Sequence, residues 1–223
     1  MPQSSIFRWK DGTGWLVLAG GGEFSSDEAA EIDSNVLLKT VSHGSMAYLW
    51  SAGDIETGDA FLEYVRDLGG RTGYLLDVLS EKDDDSMKQL GEAGIIVLGD
   101  GPQSERLHNA LTGPVLTAID NAHKNGATIY VRGEMVMSLA GWMPTIGANL
   151  KPGIGWLDNA LVMAPYTDEQ SERMKSWLKD VIPDSYGIGI GEGAALALSP
   201  DGDVEIWGKK AVTVLLGQNL SPT

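Results

Sequence analysis

The sequence predicts an α/β fold: a mostly parallel sheet with helices on both faces, followed by a β-rich antiparallel C-terminal extension. Three observations predict it. Short apolar runs recur between helical patterns through the first two-thirds of the chain, without the alternation of a half-exposed strand, as strands covered on both faces require. Most of these runs end in glycine-containing loops. In the last third, short β-rich runs follow one another around the turn Pro200-Asp201-Gly202-Asp203. Residues 1–223 read as a single domain, because 43% hydrophobic residues supply one sizeable core in a chain of this length.

Taken in order, residues 15–19 (WLVLA) form the first run, closed by Gly20-Gly21-Gly22-Glu23. Residues 46–50 form the second, closed by Ser51-Ala52-Gly53-Asp54. Between 57 and 68, Phe61, Tyr64, Val65 and Leu68 recur at i, i+3, i+4 and i+7, one face of a helix that Gly69-Gly70 stops. Residues 74–79 read as a strand and 84–92 as a short polar helix. Residues 95–98 (IIVL) make a fourth strand ending in Gly99-Asp100-Gly101-Pro102, with helical stretches at 104–111 and 115–124 behind it. The strand 128–131 (TIYV) runs directly into a helix over 133–141. Over 167–181, Thr167 and Gln170 are placed as a capping box, and Met174, Trp177, Leu178 and Val181 as the buried stripe. Runs at 187–190, 195–199, 204–207 and 211–216 then build the antiparallel extension at one sheet edge.

Charge and composition narrow the chemistry. Sixteen basic against 31 acidic residues give a net charge of −15, which repels phosphate backbones and anionic headgroups, so neither nucleic acid nor membrane is an expected partner. The chain has no cysteine, which removes a thiol nucleophile, a thiolate metal site and any disulfide. Histidine occurs only at His43, His108 and His123. Residues 1–10 carry Arg8, Trp9 and Lys10 where a secretory leader needs an apolar centre, and no apolar run approaches the ~18 residues of a membrane helix, so a cytoplasmic location is expected.

In an open α/β sheet, ligands bind beyond the carboxyl ends of the strands. The loops 20–23, 51–54, 80–82, 99–103 and 132–134 should therefore converge, giving a ligand pocket of Gly21, Gly22, Glu23, Asp100, Gly101, Gln103, Arg132, Gly133 and Glu134. Phe24 or Ser25 stands where a dinucleotide fingerprint needs its third glycine, so the glycine loop reads as a structural turn. A strand running straight into a helix at Gly133 has the shape of a nucleophile elbow, but residues 129–134 contain no serine, threonine or cysteine.

Six ordered blocks carry a family resemblance: LAGGGE at 18–23, GIIVLGDGPQSERL at 94–107, RGEMVMS at 132–138, GIGWL at 153–157, TDEQSERMKSWL at 167–178 and GIGIGEGAAL at 187–196. Together they resemble the serine peptidase family of peptidase E (aspartyl dipeptidase) and cyanophycinase, a branch of the class I glutamine-amidotransferase-like fold. The resemblance implies a flavodoxin-like three-layer sandwich. It also places Val131 at the family's elbow serine, and Pro165 and Tyr166 in the stretch that holds the family's histidine. Glu192 matches the family pattern, whereas Gly191 replaces an acidic residue. Independently of any relative, no histidine follows residue 123. The expectation is a peptidase E/cyanophycinase-like protein that has lost serine peptidase catalysis and keeps a small-ligand or partner-binding role. The alternative is a hydrolase with rearranged residues, using Glu134 or Glu23 with bound water.

Ser138 is either a displaced nucleophile or a helix serine bonded to the preceding turn. Arg132 is expected to pair with Asp100 or Glu134, and His123 to sit as a partly charged imidazole at a helix C-terminus. Glu23, Asp54, Asp100 and Glu134 would suit a hard cation only if all four converged, so neither metal nor cofactor is expected. The partners expected are a small peptide or amino-acid-like ligand and further copies of the chain.

Overall fold

The computed structural model describes residues 7–220 except 146, 148 and 210. The chain runs β1 (Leu16–Ala19), α1 (Asp27–Lys39), β2 (Met46–Leu49), α2 (Ile55–Asp67), β3 (Gly73–Leu76), α3 (Asp84–Gly91), β4 (Ile95–Leu98), α4 (Ser104–Ala110), α5 (Gly113–Lys124) and β5 (Thr128–Arg132). A 3-10 helix (Gly133–Leu139) follows, then β6 (Ala140–Pro144), β7 (Leu150–Pro152), β8 (Leu157–Met163) and α6 (Asp168–Asp180). β9 (Tyr186–Ile190), β10 (Ala194–Leu198), β11 (Val204–Gly208) and β12 (Val212–Leu216) complete it.

Seven strands form one sheet in the order β11-β10-β1-β5-β4-β2-β3, with β1 to β5 parallel and β10 and β11 antiparallel at one edge. A second sheet has the order β12-β9-β8-β6-β7. The β-rich C-terminal part is therefore divided rather than added at one edge: β10 and β11 extend the main sheet, while β9 and β12 join β8.

Strand alternation explains the layers. Leu16, Leu18, Ile96, Leu98, Ile129 and Val131 point to the side covered by α3, α4, α5 and the 3-10 helix. Val17, Ala19, Ile95, Val97 and Tyr130 point the other way, onto Ile32 and Val36 of α1 and Phe61 and Val65 of α2. Both faces of β1, β4 and β5 are thus removed from water, each buried Leu, Ile or Val contributing about 1.5–3 kcal/mol. α6 covers the second sheet through Met174, Trp177 and Leu178 against Leu161 and Met163, and its capping box forms as the sequence implies.

Three stretches depart from the expectation, one of them the strands β7 and β8, for which the sequence pattern offers no element. The helix behind β5 ends at Leu139, is of the tight 3-10 type, and gives way at Ala140 to β6, which pairs with β8. Gly141 and Trp142 favour that exchange, since glycine and aromatic residues are poor helix formers. α1 has no counterpart in the sequence reading, although Ser26 accepts a hydrogen bond from Ala29 N–H as its N-cap.

His123, near the end of α5, is buried and stacked on Trp156, with ring centroids 5.4 Å apart. Burial pushes its pKa below the ordinary 6.5, so the imidazole is neutral rather than partly charged. The sign follows: below pH 6.5 the unfolded chain takes up a proton that the folded chain resists, and stability falls on acidification. From pH 7.5 to 5.5, urea unfolding of the wild type should lose up to about 1.4 kcal/mol per pH unit beyond the loss in His123→Gln. Parallel pH profiles for the two proteins would remove this role. No helix among the described residues is long and apolar enough to cross a membrane.

Candidate functional site

The parallel strands β1, β2, β4 and β5 end on one side of the sheet, and their loops meet there. Gly21 and Gly22 have φ of +87° and +104°, which bends the β1 loop inward at no steric cost. A Cβ on Gly21 would lie 3.1 Å from the Gly133 Cα, and one on Gly22 would lie 2.7 Å from the Glu192 Cγ. Between this loop and α2 lies a cleft of about 280 Å³. Phe24, Tyr48 and Phe61 give it aromatic walls, Asp54, Thr57, Asp100 and Gly101 polar edges, and Arg132 a guanidinium. Burial pushes the Tyr48 hydroxyl up to about 12, so it stays protonated at neutral pH. The Thr57 backbone N–H donates to Asp54 (2.7 Å) and leads the interactions that hold its carboxyl below the usual range, keeping a charge at the rim.

Arg132 is buried and anchored from below. Its Nη1 donates to Asp33 Oδ1 (3.3 Å) and to the Tyr130 hydroxyl (3.0 Å), and its Nη2 donates to the Gly22 carbonyl (3.4 Å). Tyr130 in turn donates to Asp33 Oδ1 (2.7 Å). The guanidinium carbon lies 5.0 Å from the centre of the Phe61 ring, within cation–π range. Burial pushes the Asp33 carboxyl up, against the pull of Arg132 and the Tyr130 hydrogen bond. The expected pairing of Arg132 with Asp100 or Glu134 is therefore corrected to Asp33. The reason is the pleat: Tyr130 and Arg132 are two residues apart on β5 and share the face that packs on α1.

Val131 lies inside β5, fully buried, opposite Leu18 on β1 and Leu98 on β4. The left-handed residue at the turn out of β5 is Gly133, with φ +55°, two positions beyond Val131. The Asp100 carboxylate lies over it: a Cβ on Gly133 would meet Asp100 Oδ2 at 1.8 Å. Asp100 Oδ1 accepts from the backbone N–H of Gly101 (2.9 Å) and of Glu134 (3.2 Å).

The remaining candidates are placed as follows. Glu134 accepts a hydrogen bond from Ser104 (3.2 Å), and Glu23 accepts one from Ser25 (2.9 Å). Gln103 accepts from Arg106 (3.0 Å). Ser138 is buried and donates to the Met143 sulfur at 3.7 Å rather than to the preceding turn. Pro165 and Tyr166 follow β8 on the second sheet, where the Tyr166 ring covers Gly189. Neither they nor any histidine lines the cleft. Among the described residues no cluster of three or more acidic or histidine side chains is arranged to hold a metal ion; of the four carboxylates, Asp54 and Asp100 line the cleft and Glu23 and Glu134 do not.

No protein-family model and no curated protein matches the sequence. Among solved structures, the chain is similar to the crystal structure of a peptidase from an acI-B1 actinobacterium, with a TM-score of 0.75 and 22% identity over 93% of each chain. The fold is peptidase-like. Within this peptidase-like fold, the sequence reading missed Asp33, Tyr48, Thr57, Phe24, Phe61 and Tyr130. Asp33 had a readable signal: Ala29, Ile32, Asp33 and Val36 recur at i, i+3, i+4 and i+7, so a carboxylate stands on an apolar stripe and needs a buried partner.

Proposed function

We propose that the chain is a peptidase E/cyanophycinase-like protein without serine peptidase activity, whose cleft binds a small ligand bearing both a carboxylate and an ammonium group: an amino acid or a short peptide. The observation that carries this reading is Gly133 at the turn out of β5. It has no side chain, and the Asp100 carboxylate occupies the space above it. Nucleophilic attack needs an activated side chain at such a turn and a base within hydrogen-bond reach, and no histidine lines the cleft. Glu134 and Glu23, the carboxylates of the rearranged hydrolase, are engaged with Ser104 and Ser25.

The cleft's chemistry selects the ligand. Arg132 spends three of its five N–H groups on Asp33, Tyr130 and Gly22, leaving two for carboxylate oxygens. Asp54 and Asp100 at the edge suit an ammonium group. The volume, near the lower end for small-molecule sites, fits a ligand of amino-acid size.

Calorimetric titration with free L-amino acids, their N-acetyl derivatives and their methyl esters tests this. Free amino acids should bind, and either modification should weaken binding at least about tenfold, the loss of one charge-assisted contact. Asp54→Asn, which keeps the helix cap, should weaken the free amino acid but not its N-acetyl form. Hydrolysis of Asp-X dipeptides by the wild type, or equal affinity for the modified and free forms, would overturn the proposal.

A further inference from the structure

Among the described residues, β11 is the outermost strand of the seven-stranded sheet and pairs only with β10. Its ladder has a definite phase. Ser199 N–H donates to the Asp203 carbonyl (2.9 Å), while the Ala194 carbonyl accepts from Gly20 N–H on the opposite side of β10. Backbone groups alternate in an antiparallel ladder. With Asp203 turned toward β10 and Leu196 opposite Ile206, the N–H and C=O groups of Val204 and Ile206 and the N–H of Gly208 point away from the sheet, and Gly208, at φ +83°, ends the extended run.

The side chains on that edge are apolar, Val204 being 47% and Ile206 57% exposed. Natural edge strands are usually blocked by proline, a bulge or a projecting lysine, and residues 204–208 (VEIWG) contain no proline or lysine. Their one charge, Glu205, is held by Lys39 and by the Trp207 indole N–H, each at 2.8 Å.

We infer that β11 pairs antiparallel with β11 of a second copy of this chain, about a two-fold axis at Ile206. Three features favour that occupant and register. A pairing centred on Ile206 matches all three outward residues with one another: Val204 with Gly208 of the other copy, Ile206 with Ile206, and Gly208 with Val204. The same register sets Asp203 of each copy opposite Lys209 of the other, so charges are complementary twice over. Centring on Glu205 would oppose two glutamates, and centring on Val204 would oppose Asp203 and Glu205; centring on Trp207 would set Glu205 against Lys209 but match only Ile206 and Gly208 of the outward residues, so charge and the number of matched residues together select the register. The result is an isologous contact that joins two main sheets into one continuous sheet.

The test is the molar mass of the full chain by sedimentation equilibrium. At about 0.15 M salt the Debye length is about 8 Å, which screens the repulsion between two chains of net charge −15. The wild type should approach twice the 23.8 kDa chain mass. Ile206→Pro, which removes an outward N–H, and Ile206→Lys should each raise the dissociation constant at least about tenfold. Asp203→Lys should raise it about fivefold, and the charge-swapped pair Asp203→Lys with Lys209→Asp should restore it. Val214→Lys, on the exposed edge strand of the other sheet, should leave it unchanged. Circular dichroism checks each variant for folding, and the charge swap stands even where a proline unfolds the strand. A monomer up to about 100 µM, a dimer indifferent to Ile206→Lys, a dimer broken by Val214→Lys, or a swap that restores nothing would each overturn the inference.

Discussion

Asp33→Ala should lower the unfolding free energy by about 3–5 kcal/mol, the usual cost of removing one partner from a buried ion pair. Arg132 and Asp33 side chains are 7% and 2% exposed, and the guanidinium cannot deprotonate to escape the loss. Alanine at 33 would leave a buried cation without its counter-charge and the Tyr130 hydroxyl without its acceptor. Asp33→Asn should cost less, because an amide oxygen can still accept from Tyr130. The double variant Asp33→Leu with Arg132→Met should recover most of the loss, since a matched apolar pair needs no neutralisation. Urea unfolding of the four proteins measures this. A loss under about 1 kcal/mol for Asp33→Ala would mean that water reaches Arg132 through the cleft and replaces the carboxylate.

Gly133→Ser places a hydroxyl where an elbow nucleophile would stand, and should cost about 2–4 kcal/mol. Part is backbone: any Cβ at φ +55° pays about 1–2 kcal/mol. The rest is collision, because the new Cβ would lie 1.8 Å from Asp100 Oδ2. Asp100 can swing away only by giving up its bonds to Gly101 and Glu134 N–H. Adding Asp100→Gly should therefore recover the collision but not the backbone cost, a non-additivity of about 1–2 kcal/mol. Neither variant should hydrolyse dipeptides, because the serine would have no histidine beside it in the cleft. Equal stabilities for the single and double variants would show that Asp100 does not fill the space over the turn.

Where the cleft lies was legible from topology. Parallel strands end together, and four of the five loops that should converge (20–23, 51–54, 99–103 and 132–134) contribute residues to it. The residues that give it chemistry were less legible. Arg132 was read against its neighbours in sequence and in the adjacent loop, yet its partner Asp33 is 99 residues away on a helix that the reading passed over. The elbow shows the same limit. A family pattern aligned on residues 132–138 points to Val131, whereas the backbone puts the positive φ at Gly133, because the strand keeps its pairing with β1 through Arg132.

What the sequence determined by itself was whatever acts within a few residues or by composition. The capping box of Thr167 and Gln170, the strand Ile95–Leu98 and the helical stripe of Phe61 and Val65 all formed where local pattern placed them. The absence of cysteine and of any histidine beyond 123 limits the chemistry whatever the fold. Long-range packing chose which strands share a sheet, which carboxylate meets Arg132 and which residue turns out of β5. Capping and side-chain periodicity are satisfied by neighbours along the chain, whereas a buried charge or an unpaired strand edge is satisfied by whatever packing brings beside it, and the choice among distant partners is made by excluding water from the whole core.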